Sequence, residues 1–204
     1  MTLTDPQTTA SGQPSREMTR EEKRFIGAHL LVAIVALGVG SAFGPLQALE
    51  FSGVDLYQYI EPLFKSYYQG LTIHGVLNAL VWTTFFIVGF TCFTTIKGLG
   101  RPLSKPIINK VGFWTMVVGL VMAAVPILLD QATVLYTFYP PLKASWAFYL
   151  GLTLVVVGSW IEGLGFYITL RDWRRETRGV RSPFVALAGI INAAMWQIAT
   201  LGIA

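Results

Sequence analysis

Residues 67–96 read "YYQGLTIHGVLNALVWTTFFIVGFTCFTTI", a run without a single acid, lysine or arginine. A helix of that length rises roughly 45 Å, more than the ~30 Å of hydrocarbon in a bilayer. A barrel strand would be ~10 residues of alternating polarity, whereas this run is apolar on every face, so it reads as a transmembrane helix. Cutting the remaining chain at its charges leaves four more apolar runs, and together they give spans at 25–49, 67–96, 111–129, 146–170 and 184–204. Only Glu162 interrupts the fourth. Composition agrees: 53% of the 204 residues are hydrophobic and 13% charged, against the ~25% charge of a soluble domain, and the mean hydropathy is +0.57. The expected fold is an all-α integral membrane protein with five transmembrane helices.

Orientation follows from the fifteen basic residues. Arg16, Arg20, Lys23 and Arg24 precede the first span, Lys97, Arg101, Lys105 and Lys110 separate the second from the third, and Arg171, Arg174, Arg175, Arg178 and Arg181 separate the fourth from the fifth. Only Lys65 and Lys143 fall on the other side. The positive-inside rule therefore places the N-terminus and the second and fourth loops in the cytoplasm. Basic clusters beside a lipid bilayer also account for the pI near 9.3 without nucleic acid as a partner.

Residues 1–24, rich in Thr, Ser, Gln and Pro, read as a disordered cytoplasmic tail rather than a signal peptide. Residues 25–204 read as one transmembrane helical unit, and its ending "ATLGIA" lacks the charged or aromatic flank that closes a complete span, so the unit reads as incomplete. The lone cysteine, Cys92, reads as small apolar filler. The chain has no internal repeat, Gly-rich phosphate loop or zinc-spaced Cys and His set.

His74 lies roughly 10 Å below the outer end of its span, counted from Tyr67 at ~1.5 Å per residue. A polar ring at that depth needs a partner. Gly70, His74 and Asn78 recur at spacings of four with Gly75 beside them, which stacks one large ring among small residues on one helix face. Two readings stand. A flat metal-bearing cofactor would use such a face, with the Gly70 carbonyl orienting the imidazole; alternatively the ring bonds a neighbouring helix. The other histidine, His29, lies about 6 Å from the cytoplasmic side if its span begins at 25, and reads as an interfacial residue. Axial ligands of one metal put their nitrogens about 4 Å apart, so His29 and His74, near opposite faces, do not share one.

"GSAFGPLQAL" (40–49), "SYYQGLTIHGVLNALV" (66–81) and "ATVLYTFYPPLKASWAFYLG" (132–151) closely resemble the beginning of subunit I of the B-type haem-copper oxygen reductases, the ba-type cytochrome c oxidases. The similarity runs from about Phe25 to the end. The resemblance implies the first part of the subunit I helix bundle, in a prokaryotic plasma membrane. It implies a respiratory terminal oxidase in which electrons from cytochrome c pass through a low-spin haem b to a high-spin haem and copper site, reducing dioxygen to water coupled to proton pumping. His74 would be an axial ligand of the haem b iron. The second axial histidine, the copper ligands and the high-spin haem ligand belong to later helices of the family, so the high-spin haem and copper are expected only with the rest of subunit I. The chain alone is expected to be inactive, and its implied partners are the rest of subunit I, subunit II and cytochrome c or a similar donor. A nitric oxide reductase-like subunit and a truncated, non-catalytic membrane remnant are the competing readings.

Glu162 lies about 12 Å above the cytoplasmic end of its span. It reads either as a proton-relay acid or as a neutral carboxyl bonded to a neighbouring helix. Tyr136, Phe138, Tyr139 and Trp146 in the outer loop at 135–146 read as an interfacial aromatic belt, and Asn78, Asn192 and Gln197 as interhelical hydrogen-bonding residues.

Overall fold

The computed structural model describes residues 16–61, 64–135, 138 and 140–202. Residues 1–15 of the expected tail, and Tyr136 and Tyr139 of the expected aromatic belt, lie outside the described residues. Helix α1, Arg20–Phe51, begins five residues before the expected span. Thr19 caps it: the Thr19 hydroxyl accepts the Glu22 amide at 3.2 Å and the Glu22 carboxylate accepts the Thr19 amide at 2.8 Å. Two otherwise orphaned backbone donors are thereby satisfied, and Arg16 closes on Glu22 at 3.1 Å. Residues 20–24 are therefore the first turn of a helix and not part of a tail.

A single turn, α2 (Tyr57–Ile60), lies between α1 and the long helix α3, Tyr67–Leu99. The Ser66 hydroxyl caps α3 by accepting the Gln69 amide, and α3 ends where Gly100 turns left-handed at φ +63°. Within α3 the segment Val76–Val81 is a π-helical turn, one residue wider than the α-helix on either side. Helix α4, Pro106–Leu128, opens on a proline where the missing N–H is harmless. Helices α5, Trp146–Glu176, and α6, Phe184–Ala199, complete the bundle.

Among the described residues, α1, α3, α4 and α5 are long and apolar enough to cross a membrane. The sequence predicts a fifth span at 184–204. The apolar helix in that stretch, α6, has 16 residues and rises about 24 Å, and residues 203–204 lie outside the described residues. The other four expected spans each have their helix; the fifth differs in length.

The most extensive contact is the antiparallel pair α4 and α5. Gly119 of α4 lies against Gly151 of α5, and Gly112 against Gly158. A Cβ on Gly119 would stand 2.5 Å from the Gly151 carbonyl oxygen, and one on Gly158 2.6 Å from that of Gly112. The helices thus meet backbone to backbone, the packing that drives association where lipid removes the hydrophobic incentive. Helix α1 lies along α3, and α6 packs on the far end of α3, where Gly98 meets Ala186. The basic connections meet at one end of the bundle: Arg101 pairs with Glu176 at 2.8 Å, Lys110 with Glu21, and Lys97 donates to the Arg16 carbonyl at 3.4 Å. At the other end Gln69 donates to the Ile127 carbonyl at 2.7 Å and the Leu135 amide to the Thr72 hydroxyl at 3.1 Å. Phe85, Phe148, Phe166 and Met116 fill the core, while Leu31, Ile34, Trp114, Val118 and Val121 face outward as a surface suited to lipid.

Candidate functional site

His74 stands in the N-terminal third of α3, and its ring lies across α1 near two glycines. His74 Nδ1 donates to the Gly40 carbonyl oxygen at 2.8 Å. A Cβ on Gly44 would come within 3.2 Å of His74 Cε1, so glycine at 44 lets the ring lie this close, while a Cβ on Gly40 would stand 2.6 Å from Asn78 Oδ1, so glycine at 40 makes room for Asn78. The expected acceptor was the Gly70 carbonyl of the same helix; the structure supplies one from a neighbouring helix instead. Gly70 has another task. It is covered by the Tyr57 hydroxyl and the Gln47 amide, and a side chain there would collide with both. Gln47 Nε2 donates to the Tyr57 oxygen at 2.5 Å, and burial pushes the Tyr57 phenol above its ordinary value although that hydrogen bond opposes the shift.

Since Nδ1 faces a carbonyl, it carries the imidazole proton. The Nε2 lone pair is then free, and no described residue bonds to it. Asn78 Nδ2 lies 3.2 Å from the same Nδ1, while its buried Oδ1 has no partner among the described residues. A half-turn of the amide gives His74 a second acceptor and pairs that oxygen. An oriented imidazole with one nitrogen unbonded among the described residues, set among small residues, fits the requirements of an axial ligand to a flat metal cofactor.

The second histidine departs from expectation. His29 is not interfacial: its side chain is 0% exposed, and its Nε2 lies 2.8 Å from Glu162 Oε1, also 0% exposed. Four helices build this pocket. His29 comes from α1 and Glu162 from α5, while Gly89 of α3 and Gly112 of α4 make room. A Cβ at Gly89 would lie 2.7 Å from His29 Cβ, and one at Gly112 2.5 Å from Glu162 Cγ. Phe25 and Phe113 pack on the imidazole with ring centroids 4.8 and 4.6 Å away.

His29 Nδ1 donates to the Phe25 carbonyl at 3.0 Å, so the short contact at Nε2 holds one proton. Neutral acid with neutral imidazole and carboxylate with imidazolium are the two ways to place it, and both leave the pair uncharged. Glu162 Oε2 is buried without a partner among the described residues. Of the two sequence readings of Glu162, the interhelical hydrogen bond is what the structure shows, with a partner not foreseen. A signal existed. Helix α1 starts at Arg20, so His29 is nine residues in, about 14 Å from its N-terminus.

Gln197 is interhelical as expected, accepting from Tyr167 at 2.7 Å and donating to the Trp160 carbonyl at 3.3 Å. Asn192 is exposed and bonds to no other helix among the described residues. Cys92 is buried and free. Among the described residues, no group of three or more His, Cys, Asp or Glu is placed to hold a metal ion.

Comparison with known proteins places this geometry. The family described as cytochrome c and quinol oxidase polypeptide I matches residues 24–204. Cytochrome c oxidase subunit 1 of Thermus thermophilus is 41% identical over 188 residues, covering 89% of this chain and 33% of that protein. A chain from a cryo-EM structure of a heme-copper terminal oxidase dimer superposes with a TM-score of 0.78 at 34% identity, covering 89% of this chain and 31% of the other. The chain thus spans about a third of the length of the relatives it matches. With nearly all of its membrane helices inside the match, this chain belongs to the cytochrome c and quinol oxidase polypeptide I family.

Proposed function

We propose that this chain forms part of subunit I of a B-type haem-copper oxygen reductase and supplies one axial ligand, His74, to a low-spin haem b. The observation that carries the reading is the hydrogen bond from His74 Nδ1 to the Gly40 carbonyl at 2.8 Å. It fixes the tautomer that leaves Nε2 as a lone-pair donor, and it strengthens that donor by drawing the opposite proton toward an acceptor. When bound, the haem supplies one-electron iron redox chemistry. Gly40 and Gly44 keep the ring against α1, Asn78 limits its rotation, and the apolar faces of α1 and α3 exclude water.

In the complete subunit, cytochrome c or a similar donor delivers electrons through this haem to a high-spin haem and copper site that reduces dioxygen to water and couples to proton pumping. The rest of subunit I would provide that dinuclear site, because one of this chain's two histidines is engaged by Glu162 and the other, His74, would hold the haem b. Subunit II is the neighbouring partner. The basic end of the bundle faces the cytoplasm of a prokaryotic cell, and the His74 end faces outward, where electrons enter. Alone, the chain is inactive in dioxygen reduction.

The test is a dithionite-reduced minus oxidised optical spectrum of membranes holding the chain with the rest of its subunit, in wild type and His74→Ala. A b-type signal lost on substitution supports the reading. An unchanged b-type signal in His74→Ala refutes the ligand assignment.

A further inference from the structure

The haem-ligand reading leaves unused the most deeply buried ionisable pair in the described residues. We propose that His29 and Glu162 form a proton-binding site, a two-position store that holds one proton at rest and binds a second delivered from the basic end of the bundle. The inference does not depend on haem at His74.

Three observations carry it. The pair at 2.8 Å holds a single proton between Nε2 and Oε1, because Nδ1 already donates to the Phe25 carbonyl. Glu162 Oε2 is buried and unpartnered among the described residues, so one lone pair is kept free at a site where an orphaned oxygen is costly. A cavity of about 340 Å³, lined by Arg16, Glu21, Glu22, Phe25, Leu103 and Lys110, opens at the basic end. Phe25 joins the two: its side chain lines the cavity, and its carbonyl accepts from His29 one turn further in, a rise of about 6 Å.

The protonation balances simply. A proton from water in the cavity settles on Oε2, the shared proton moves fully onto Nε2, and Oε1 becomes the carbonyl oxygen that accepts from it. The product is imidazolium beside a neutral carboxylic acid, with one positive charge added. No bond other than O–H and N–H changes.

The surrounding elements offer little else that titrates. On α1, Glu22 is held by Arg16. On α3 the buried group is the Cys92 thiol. On α4, Asn109 donates its amide to the Glu162 backbone carbonyl at 3.1 Å, and Lys110 points outward to Glu21. The α6 segment has no acid, lysine, arginine or histidine.

The experiment is infrared difference spectroscopy of the chain in membranes with isotope-labelled glutamate, titrated from about pH 8 to about pH 5, the range in which imidazole changes charge. Proton uptake is measured in parallel with a pH-indicating dye. Wild type is expected to show a labelled carboxylic-acid band that appears or shifts as pH falls, and to bind one proton more per chain than Glu162→Gln. In His29→Gln the same band becomes independent of pH, because a lone buried acid stays protonated throughout. Wild-type spectra alone test the idea if the variants do not fold: a labelled band constant across the titration overturns it. Leu103→Trp, which fills the cavity without touching the pair, is expected to slow hydrogen–deuterium exchange of the band severalfold. Unchanged exchange overturns the proposed entry.

Discussion

His29 and Glu162 meet at 2.8 Å across 133 positions of sequence, with both side chains fully inaccessible. Their shared proton leaves the pair uncharged, which is how two ionisable groups persist at membrane depth. Removing one partner leaves the other alone in an apolar pocket, a loss of about 3–5 kcal/mol. Glu162→Leu and His29→Leu are each expected to lower stability by that order, and the double leucine variant to recover much of it. Equilibrium unfolding of the four proteins in mixed detergent, treated as a double-mutant cycle, checks this. Additive losses would show that the two side chains are not coupled.

The approach of His74 to α1 depends on bare backbone at Gly44, where a Cβ would lie 3.2 Å from His74 Cε1. Alanine is absorbed by a small shift. Gly44→Leu displaces the ring from the Gly40 carbonyl, and haem affinity is expected to fall about 10–100-fold, the usual loss when a metal-bound histidine loses its orienting partner. Haem titration followed by absorbance reads the change, with Gly38→Leu as the control because a Cβ at Gly38 meets nothing within 4 Å.

The glycines of the α4 and α5 seam leave no room for a side chain at their own positions. Gly119→Ala brings a methyl to 2.5 Å from the Gly151 carbonyl, and backbone cannot move aside as a flexible side chain does. Overpacking of that kind costs about 1–3 kcal/mol. A lowered unfolding midpoint for Gly119→Ala and Gly151→Ala, beside an unaltered one for Gly27→Ala in open space, is the expected pattern.

Burial raises the Tyr57 phenol above its ordinary value of 10.0. The unfolded chain therefore releases this proton first as pH rises past 10.0, the folded chain holds more protons there, and stability declines with increasing pH. Below that value the group adds no pH dependence. Tyr57→Phe removes this slope while losing the hydrogen bond to Gln47, worth about 1 kcal/mol at neutral pH. Melting midpoints of both proteins on either side of pH 10.0 separate the two effects.

What the sequence reveals and what it hides divide along the range of the interaction. The apolar runs at 67–96 and 111–129 and the basic loops between spans are local signals, and α3, α4 and the clustering of Lys97, Arg101 and Lys110 at one end follow from them. His74 is legible because Gly70, His74 and Asn78 lie on one helix face. Its acceptor is not, because Gly40 is brought there by the packing of α1 on α3. The depth of His29 is hidden for a capping reason: a span counted from the first apolar residue ignores that Thr19 and Glu22 start the helix earlier. The short sixth helix has no equivalent signal, since apolar composition continues past the residue where its backbone stops being helical.

The wide turn at Val76–Val81 divides α3 into two halves that differ in phase. One extra residue in the turn makes everything beyond it lag an unbroken α-helix by about 100°. A helical wheel drawn from His74 through Thr94 would therefore assign the threonine that meets Gly189 of α6 to the wrong side. Deleting one residue between 76 and 81 should leave both halves presenting their present faces on a regular helix, with the contacts at risk being those of Asn78, Leu77 and the buried Val76, Leu80 and Val81. In alignments of relatives, this turn is where a single-residue gap would be structurally silent.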